Sequence, residues 1–171
     1  RRSVAGGTTQ GKAISETLMK LAAEDERIYA ITPAMTTGAH LTEFAKKYPK
    51  RFIDAGIAEE HALVLANALA QSGMKPYVTI YSTFLQRGYD QVNHDIARMG
   101  GDVVVGIDRC GVIGEDGVSH QGIFDVSLLL PIPGITLAQG KDAAESARLL
   151  ATGFATEGPY LLRYSKNTMQ E

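Results

Sequence analysis

Apolar residues along this chain recur at two alternating spacings, and that alternation sets the expected architecture. Helical spacing comes first, with Ile14, Leu18 and Leu21 in "GKAISETLMKLAAEDER"; "RIYAITP" behind it has the length and apolarity of a buried strand. "LTEFAKKYPKR" places Leu41, Phe44 and Ala45 together and predicts a second helix ending before Pro49. "FIDAGI" predicts a short strand, and "GIAEEHALVLANALA" a third helix closed by Gly73. "KPYVTIY" is β-branched and aromatic, as strands are. "STFLQRGYDQVNHDIARMGG" has a hydroxyl cap and a glycine stop, so one helix is expected over it. "DVVVGIDR" is nearly continuous in apolar residues, the mark of a strand covered on both faces. After a glycine-rich stretch, "GITLAQ", "DAAESARLLATGFATE" and "PYLLRY" predict strand, helix and strand. The expected fold class is therefore α/β: a mostly parallel open sheet of about six strands with helices on both faces. Residues 1–10 read as a flexible lead-in and 11–171 as a single domain.

Composition narrows the function. The chain has 171 residues, 44% of them hydrophobic and 21% charged, which suits one compact soluble domain. A net charge of −2 supplies no general basic field for nucleic acid or for an anionic membrane, so neither is an expected partner. No apolar run approaches the roughly 18–20 residues that span a bilayer. "RRSVAGGTTQGK" has no apolar segment behind its arginines and is not a secretory signal. The single cysteine, Cys110, excludes a disulfide framework and points to a reducing, cytoplasmic setting. Because the chain does not start with methionine, an excised domain or a separate subunit is expected.

In open parallel sheets ligands bind beyond the carboxyl ends of the strands. Several of the predicted strands end in residues able to do chemistry. Glu59 and Glu60 come after "FIDAGI"; Tyr81 closes "KPYVTIY", with Phe84 and Arg87 beyond it. Arg109 and a glycine loop carrying Asp116 and His120 come after "DVVVGID", and Lys166 with Asn167 after "PYLLRY". The two glutamates differ on the helical wheel. From Glu59 the positions one, two and three turns on are Ala62, Leu63, Ala66 and Ala70, whereas from Glu60 they are Val64, Asn67 and Gln71. Glu59 thus heads the buried face and Glu60 a wetter one, where its charge suits the positive end of the helix dipole. A buried carboxylate must be paired or protonated, since isolation there costs several kcal/mol. Either state suits exchange of a proton with a ligand nitrogen.

Residues 109–125 contain neither a dinucleotide fingerprint nor a Walker loop, and "GEDG" lacks the downstream asparagine of a diphosphate–metal motif. Arg109 suits a phosphate or a structural ion pair equally well. His120 reads as a proton donor or as an ordinary loop histidine. His61 has no second ligand at helical spacing, so a zinc site is rejected and no metal ligand is assigned. His94 reads as structural, Cys110 as a packing residue, and Phe84 as a flat surface for a heteroaromatic ring if it is not simply core.

"RFIDAGIAEEHALVLANALAQSGMKPYVTIYSTFLQRGYDQVNHD", with "IDRCGVIGEDGVSHQGIFDVSLLLPIPGI" and "YAITPAM", resembles the central pyrimidine-binding domain of the 1-deoxy-D-xylulose-5-phosphate synthases, thiamine-diphosphate enzymes of the transketolase superfamily. The resemblance implies that Glu59 hydrogen-bonds N1′ of the cofactor's aminopyrimidine and promotes removal of the thiazolium C2 proton. It implies that Phe84 stacks on that ring and that Tyr81 borders both cofactor and substrate. Arg109, Asp116 and His120 would line the substrate pocket, Arg109 on the acceptor phosphate and His120 near the reacting centre; Arg87 receives no role. Lys166, in "RYSKNT", stands where the family has the second arginine of "RYPRG", and "AQGKDAAE" replaces "PSD-x-x-E". The implied cofactor is thiamine diphosphate with Mg²⁺ held by a diphosphate-binding domain that these residues do not include; the family's C-terminal domain is likewise outside them. Pyruvate and glyceraldehyde 3-phosphate would be the substrates, and a homodimer the assembly. Two alternatives stay open: a β-type half of a split transketolase or 2-oxo acid dehydrogenase, and a non-catalytic association domain.

Overall fold

The computed structural model describes residues 7–166. Most of the proposed lead-in and Asn167 lie outside them; Gln10, at its end, is already helical and buried. Helix α1 (Gln10–Glu24) starts where the Thr9 side chain accepts a hydrogen bond from the Lys12 N–H at 3.2 Å. Strand β1 (Ile28–Thr32), helix α2 (Thr42–Lys47), strand β2 (Phe52–Asp54), helix α3 (Glu59–Gln71) and strand β3 (Lys75–Tyr81) follow as the periodicity predicts. A short helix α4 (Ser82–Leu85) comes directly after β3. The second half adds β4 (Val104–Asp108), a short helix α5 (Asp125–Leu129), β5 (Thr136–Gln139), α6 (Ala143–Ala155) and β6 (Tyr160–Arg163).

All six strands pair in parallel, in the order β2-β1-β3-β4-β6-β5. Successive side chains on a strand face opposite sides, and the sheet is accordingly covered twice. Val78, Ile80, Val105, Ile107 and Leu161 pack with Ala62, Leu63 and Ala66 of α3. On the other face Ile28, Ala30, Tyr77, Val104 and Leu162 pack with Ile14 and Leu18 of α1, Phe44 of α2 and Leu150 of α6. The α/β class, the open parallel sheet and the helices on both faces are as the sequence predicts.

The single helix expected over 82–101 is the main departure. It begins as α4, tightens into a 3₁₀ turn (Gln86–Gly88) and widens into a π-helix (Gln91–Ala97). Gly88 lies close against the start of α3, where a β-carbon would meet the end of the Leu63 side chain. Apolar spacing repeats closely enough in α- and π-helices to hide the difference. Asn67, assigned to the wetter stripe of α3, is only 8% exposed because Gly101 packs on it.

β1 lies between β2 and β3, so the chain leaves it in one direction for β2 and crosses back for β3. A crevice opens where such neighbouring connections diverge, beyond the carboxyl ends of the strands. Among the described residues no helix is long and apolar enough to cross a membrane.

Candidate functional site

An open cavity of about 320 Å³ lies at this crevice, lined by Met35, Tyr81, Phe84, Arg109, Asp116 and His120. The sequence reading named all of these but Met35, which enters from the loop behind β1. That loop is held by Asp54 at the end of β2, whose carboxylate accepts from the Ala34 and Gly56 N–H groups and from Thr36 Oγ1 at 2.9–3.0 Å. These three donors hold the Asp54 carboxyl below its ordinary range against the opposing effect of its burial.

Aromatic and cationic groups form a column along the crevice. The Arg109 guanidinium lies 3.8 Å from the centre of the Tyr81 ring. Tyr81 stacks on Phe84 with centroids 5.4 Å apart and 10° between planes. His120 meets Phe84 edge-on at 5.4 Å, and Ser119 Oγ lies 2.8 Å from His120 Nδ1. Burial raises the Tyr81 hydroxyl above its ordinary value, with Arg109 opposing, so the phenol stays protonated at neutral pH.

Glu59 opens α3 with its side chain 3% exposed, while Glu60 beside it is exposed. The buried carboxylate is paired: Arg87 Nη1 donates to Glu59 Oε1 at 2.7 Å. The same guanidinium lies 5.2 Å from the centre of the Phe84 ring. Arg87, to which the sequence assigned no role, therefore joins Glu59 to the aromatic column. The site thus sets a buried carboxylate, which is not among the residues lining the cavity, behind an aromatic ring on the cavity wall. A flat, nitrogen-bearing aminopyrimidine has the shape and donors to match, so these residues fit that ring.

The loop carrying Asp116 and His120 is cinched at its base. Gly111 and Gly122 exchange two backbone hydrogen bonds, at 2.7 and 2.9 Å. A β-carbon on Gly122 would run into the Arg109 carbonyl and the Ser82 side chain. Inside the loop the Gln121 amide accepts from the Ile113 N–H and donates to the carbonyls of Ile113 and Gly117 at 2.5–2.7 Å. Below the neck, Asp125 accepts two hydrogen bonds from Arg163, at 2.6 and 3.0 Å, and one from the Cys110 thiol at 3.3 Å. Burial, chiefly, and the Asp125 charge push that thiol up, which leaves Cys110 a packing residue rather than a nucleophile.

Charges meet at the loop tip. Asp116 accepts from Lys166 Nζ at 2.6 Å and lies 3.6 Å from Arg109 Nε. Glu115 lies 3.6 Å from Lys166 as well. Arg109 takes a left-handed backbone, φ +58°, and is held by Asp108 at the end of β4. Asp108 is 2% exposed; burial pushes its carboxyl up to about 6 despite the adjacent arginine. His61 is exposed, His94 sits at the surface between Asp95 and Arg98, and no group of three or more metal-ligating side chains occurs among the described residues.

A buried carboxylate and a stacked aromatic thus stand at the switch point of a doubly covered parallel sheet. Residues 7–171 match the family described as "Transketolase, pyrimidine binding domain", and the chain belongs to it. Similar curated proteins include the 1-deoxy-D-xylulose-5-phosphate synthase of Listeria monocytogenes, 54% identical over 90% of this chain and 25% of that protein. That of Bacillus cereus is 53% identical over 90% and 24%. That of Listeria welshimeri is 51% identical over 96% and 26%. The chain thus spans about a quarter of the length of these relatives. Among solved structures, a split-gene transketolase described as an inactive beta4 tetramer superposes with a TM-score of 0.86 at 25% identity, over 97% of this chain and 54% of that one. The transketolase of Pichia stipitis, in complex with sedoheptulose 7-phosphate, shares the fold with a TM-score of 0.85 at 19% identity, over 98% and 27%. The family is one of thiamine-diphosphate-dependent enzymes of the transferase type.

Sequence reasoning missed Asp108, Met35 and the partner of Glu59. Asp108 carried one signal, a carboxylate closing an otherwise apolar strand. The Glu59–Arg87 pair joins positions too far apart for any local period to link.

Proposed function

We propose that this chain is the pyrimidine-binding domain of a 1-deoxy-D-xylulose-5-phosphate synthase, joining pyruvate to glyceraldehyde 3-phosphate with loss of carbon dioxide. The observation that carries this reading is the buried Glu59 carboxylate, paired with the arginine that lies on Phe84 and fitted to a planar, nitrogen-bearing group. The similarity to three synthases at 51–54% identity supports it. Thiamine diphosphate, when bound, supplies the nucleophilic carbon and the electron sink for decarboxylation. Glu59 would hold and return a proton at N1′ of the aminopyrimidine, and Phe84 would lie flat against that ring. Tyr81 and Phe84 exclude water from one wall of the cleft. Arg109, steadied on Tyr81, and Lys166, linked to it through Asp116, provide positive charge for the acceptor's phosphate. His120, edge-on to Phe84, would give a proton to an oxygen of the substrate.

The reading carries with it Mg²⁺ and the cofactor diphosphate held by another domain of the same enzyme, a homodimer and a cytoplasmic setting. The isolated chain would then be inactive. The residues also bear on the split-transketolase alternative, which shares the role of Glu59 but uses a ketose phosphate as donor and releases no carbon dioxide. The deciding assay is carbon dioxide release from pyruvate, with glyceraldehyde 3-phosphate present, by the full-length protein that contains this domain. Glu59→Gln should lower kcat by at least about a hundredfold, the scale of a lost proton-transfer group, with folding retained. An inactive wild type, or a fully active Glu59→Gln, would reject the reading.

A further inference from the structure

Arg109 is held by its neighbour in an unusual way. Asp108 directs both carboxylate oxygens at the next residue: Oδ1 accepts from the Arg109 backbone N–H at 2.6 Å, and Oδ2 from Nη1 at 2.7 Å. A left-handed backbone is sparsely populated by bulky side chains, and the first of these bonds compensates for it at Arg109. Nη1 also reaches the Gly38 carbonyl at 3.4 Å, the guanidinium face lies on Tyr81 at 3.8 Å, and Nε faces Asp116 Oδ2 at 3.6 Å. Nη2 has no hydrogen-bond partner among the described residues, and Arg109 lines the cleft. Of the two carboxylates on this guanidinium, Asp116 belongs to the loop and is shared with Lys166, whereas Asp108 is 2% exposed at the end of a central strand. The immobile partner is Asp108.

We infer that Asp108 is a positioning residue: by gripping the backbone and Nη1 of Arg109 it turns the remaining edge of the guanidinium into the cleft, and so sets affinity for an acceptor bearing an oxyanion. The inference rests on the reading above that the cleft takes a phosphorylated acceptor. It has a consequence for pH. The charged and titratable groups around Asp108 are Arg109, Asp116, Tyr81, Tyr77 of β3 and Tyr164 beyond β6; Arg109 is faced in addition by His40, which burial and that guanidinium hold below its ordinary value, and by His120 across the cleft. Burial raises all three tyrosines, which stay neutral. Protonating Asp108, at about pH 6, removes the charge that orients Nη1, and oxyanion binding weakens below that pH.

The test uses the full-length enzyme and the isosteric Asp108→Asn. Asparagine can still accept from the Arg109 N–H, but its amide no longer offers a charged acceptor to Nη1. KM for glyceraldehyde 3-phosphate should rise about tenfold, the scale of one misdirected charge-assisted hydrogen bond. KM for pyruvate and for unphosphorylated glyceraldehyde should stay within about twofold. An equal rise for both acceptors, or none for the phosphorylated one, overturns the inference. A second measurement needs neither turnover nor a variant of Asp108: calorimetric binding of inorganic sulfate, which does not titrate in this range, with Arg109→Met defining the heat that belongs to the site. Sulfate should bind about tenfold more weakly at pH 5 than at pH 8 to a His120→Ala background, which takes the other cleft-lining titratable base out of the comparison, and a pH-independent affinity at the Arg109 site of that background refutes the positioning role. Failure of the underlying reading shows differently, as a wild type that makes no product with either acceptor.

Discussion

Removing the carboxylate of Asp125 should loosen the base of the loop between Gly111 and Gly122 and destabilise the domain. Asp125 and Arg163 form a two-bond ion pair with side chains 1% and 12% exposed, and Gln139 supplies Arg163 with one further acceptor. Breaking a buried pair by deleting one partner costs about 3–5 kcal/mol, because the other charge is left without compensation. The Gln139 amide and the slight exposure of Arg163 put Asp125→Leu at the low end, about 3 kcal/mol. In a domain of this size each kcal/mol lowers the melting midpoint by roughly 2–4 °C, so a fall of about 6–12 °C is expected. The double variant Asp125→Leu, Arg163→Met removes both charges and leaves no uncompensated charge, and it should recover most of the loss. Circular dichroism melts of the 171-residue chain at pH 7.5, for both single variants and the double, close the cycle. If Asp125→Leu melts within about 1 °C of wild type, or if the double variant costs the sum of the singles, the pair does not hold the loop as argued.

Phe84→Ala should weaken thiamine diphosphate binding to the full-length enzyme by about tenfold or more, since stacking on an aromatic ring contributes roughly 1–3 kcal/mol; isothermal titration measures it. Gly122→Ala drives a methyl group into the Arg109 carbonyl and Ser82, and should cost about 1–3 kcal/mol by urea unfolding. Asp108 gives a sign to stability against pH. Its folded pKa is raised to about 6, chiefly by burial, so its contribution to stability is full below about pH 4, where the unfolded carboxyl is also protonated, and is lost as pH rises through about 6. Asp108→Asn should abolish that decline, and parallel wild-type and variant stability curves between pH 4 and pH 7 would contradict the assignment.

Much of the fold was legible because parallel sheets and their covering helices write different periods into the chain. The α3 stripe even separated Glu59 from Glu60, since neighbours on a helix lie about 100° apart. The widening of 91–97 into a π-helix left no trace, because Val92 and Ile96 keep a spacing that suits an α-helix as well. Pairs made by the fold were invisible too: Arg87 finds Glu59 and Arg163 finds Asp125 only once separate strands and helices are side by side. Asp108 could be read as a strand terminus but not as the holder of its neighbour, which depends on a left-handed turn at Arg109 that no residue type there announces.

The loop closed by Gly111 and Gly122 has a consequence for how this domain could change over generations. Both ends meet in a two-bond clasp, and the entropy of closing a loop grows only slowly with its length. Insertions between the two glycines therefore leave the sheet in place, and only changes at Asp116 and His120, which meet Arg109 and Phe84, reach the wall of the cleft. On the proposed function the loop is in effect an exchangeable cartridge: acceptor preference would be rewritten at its tip while the sheet and Glu59 are inherited intact.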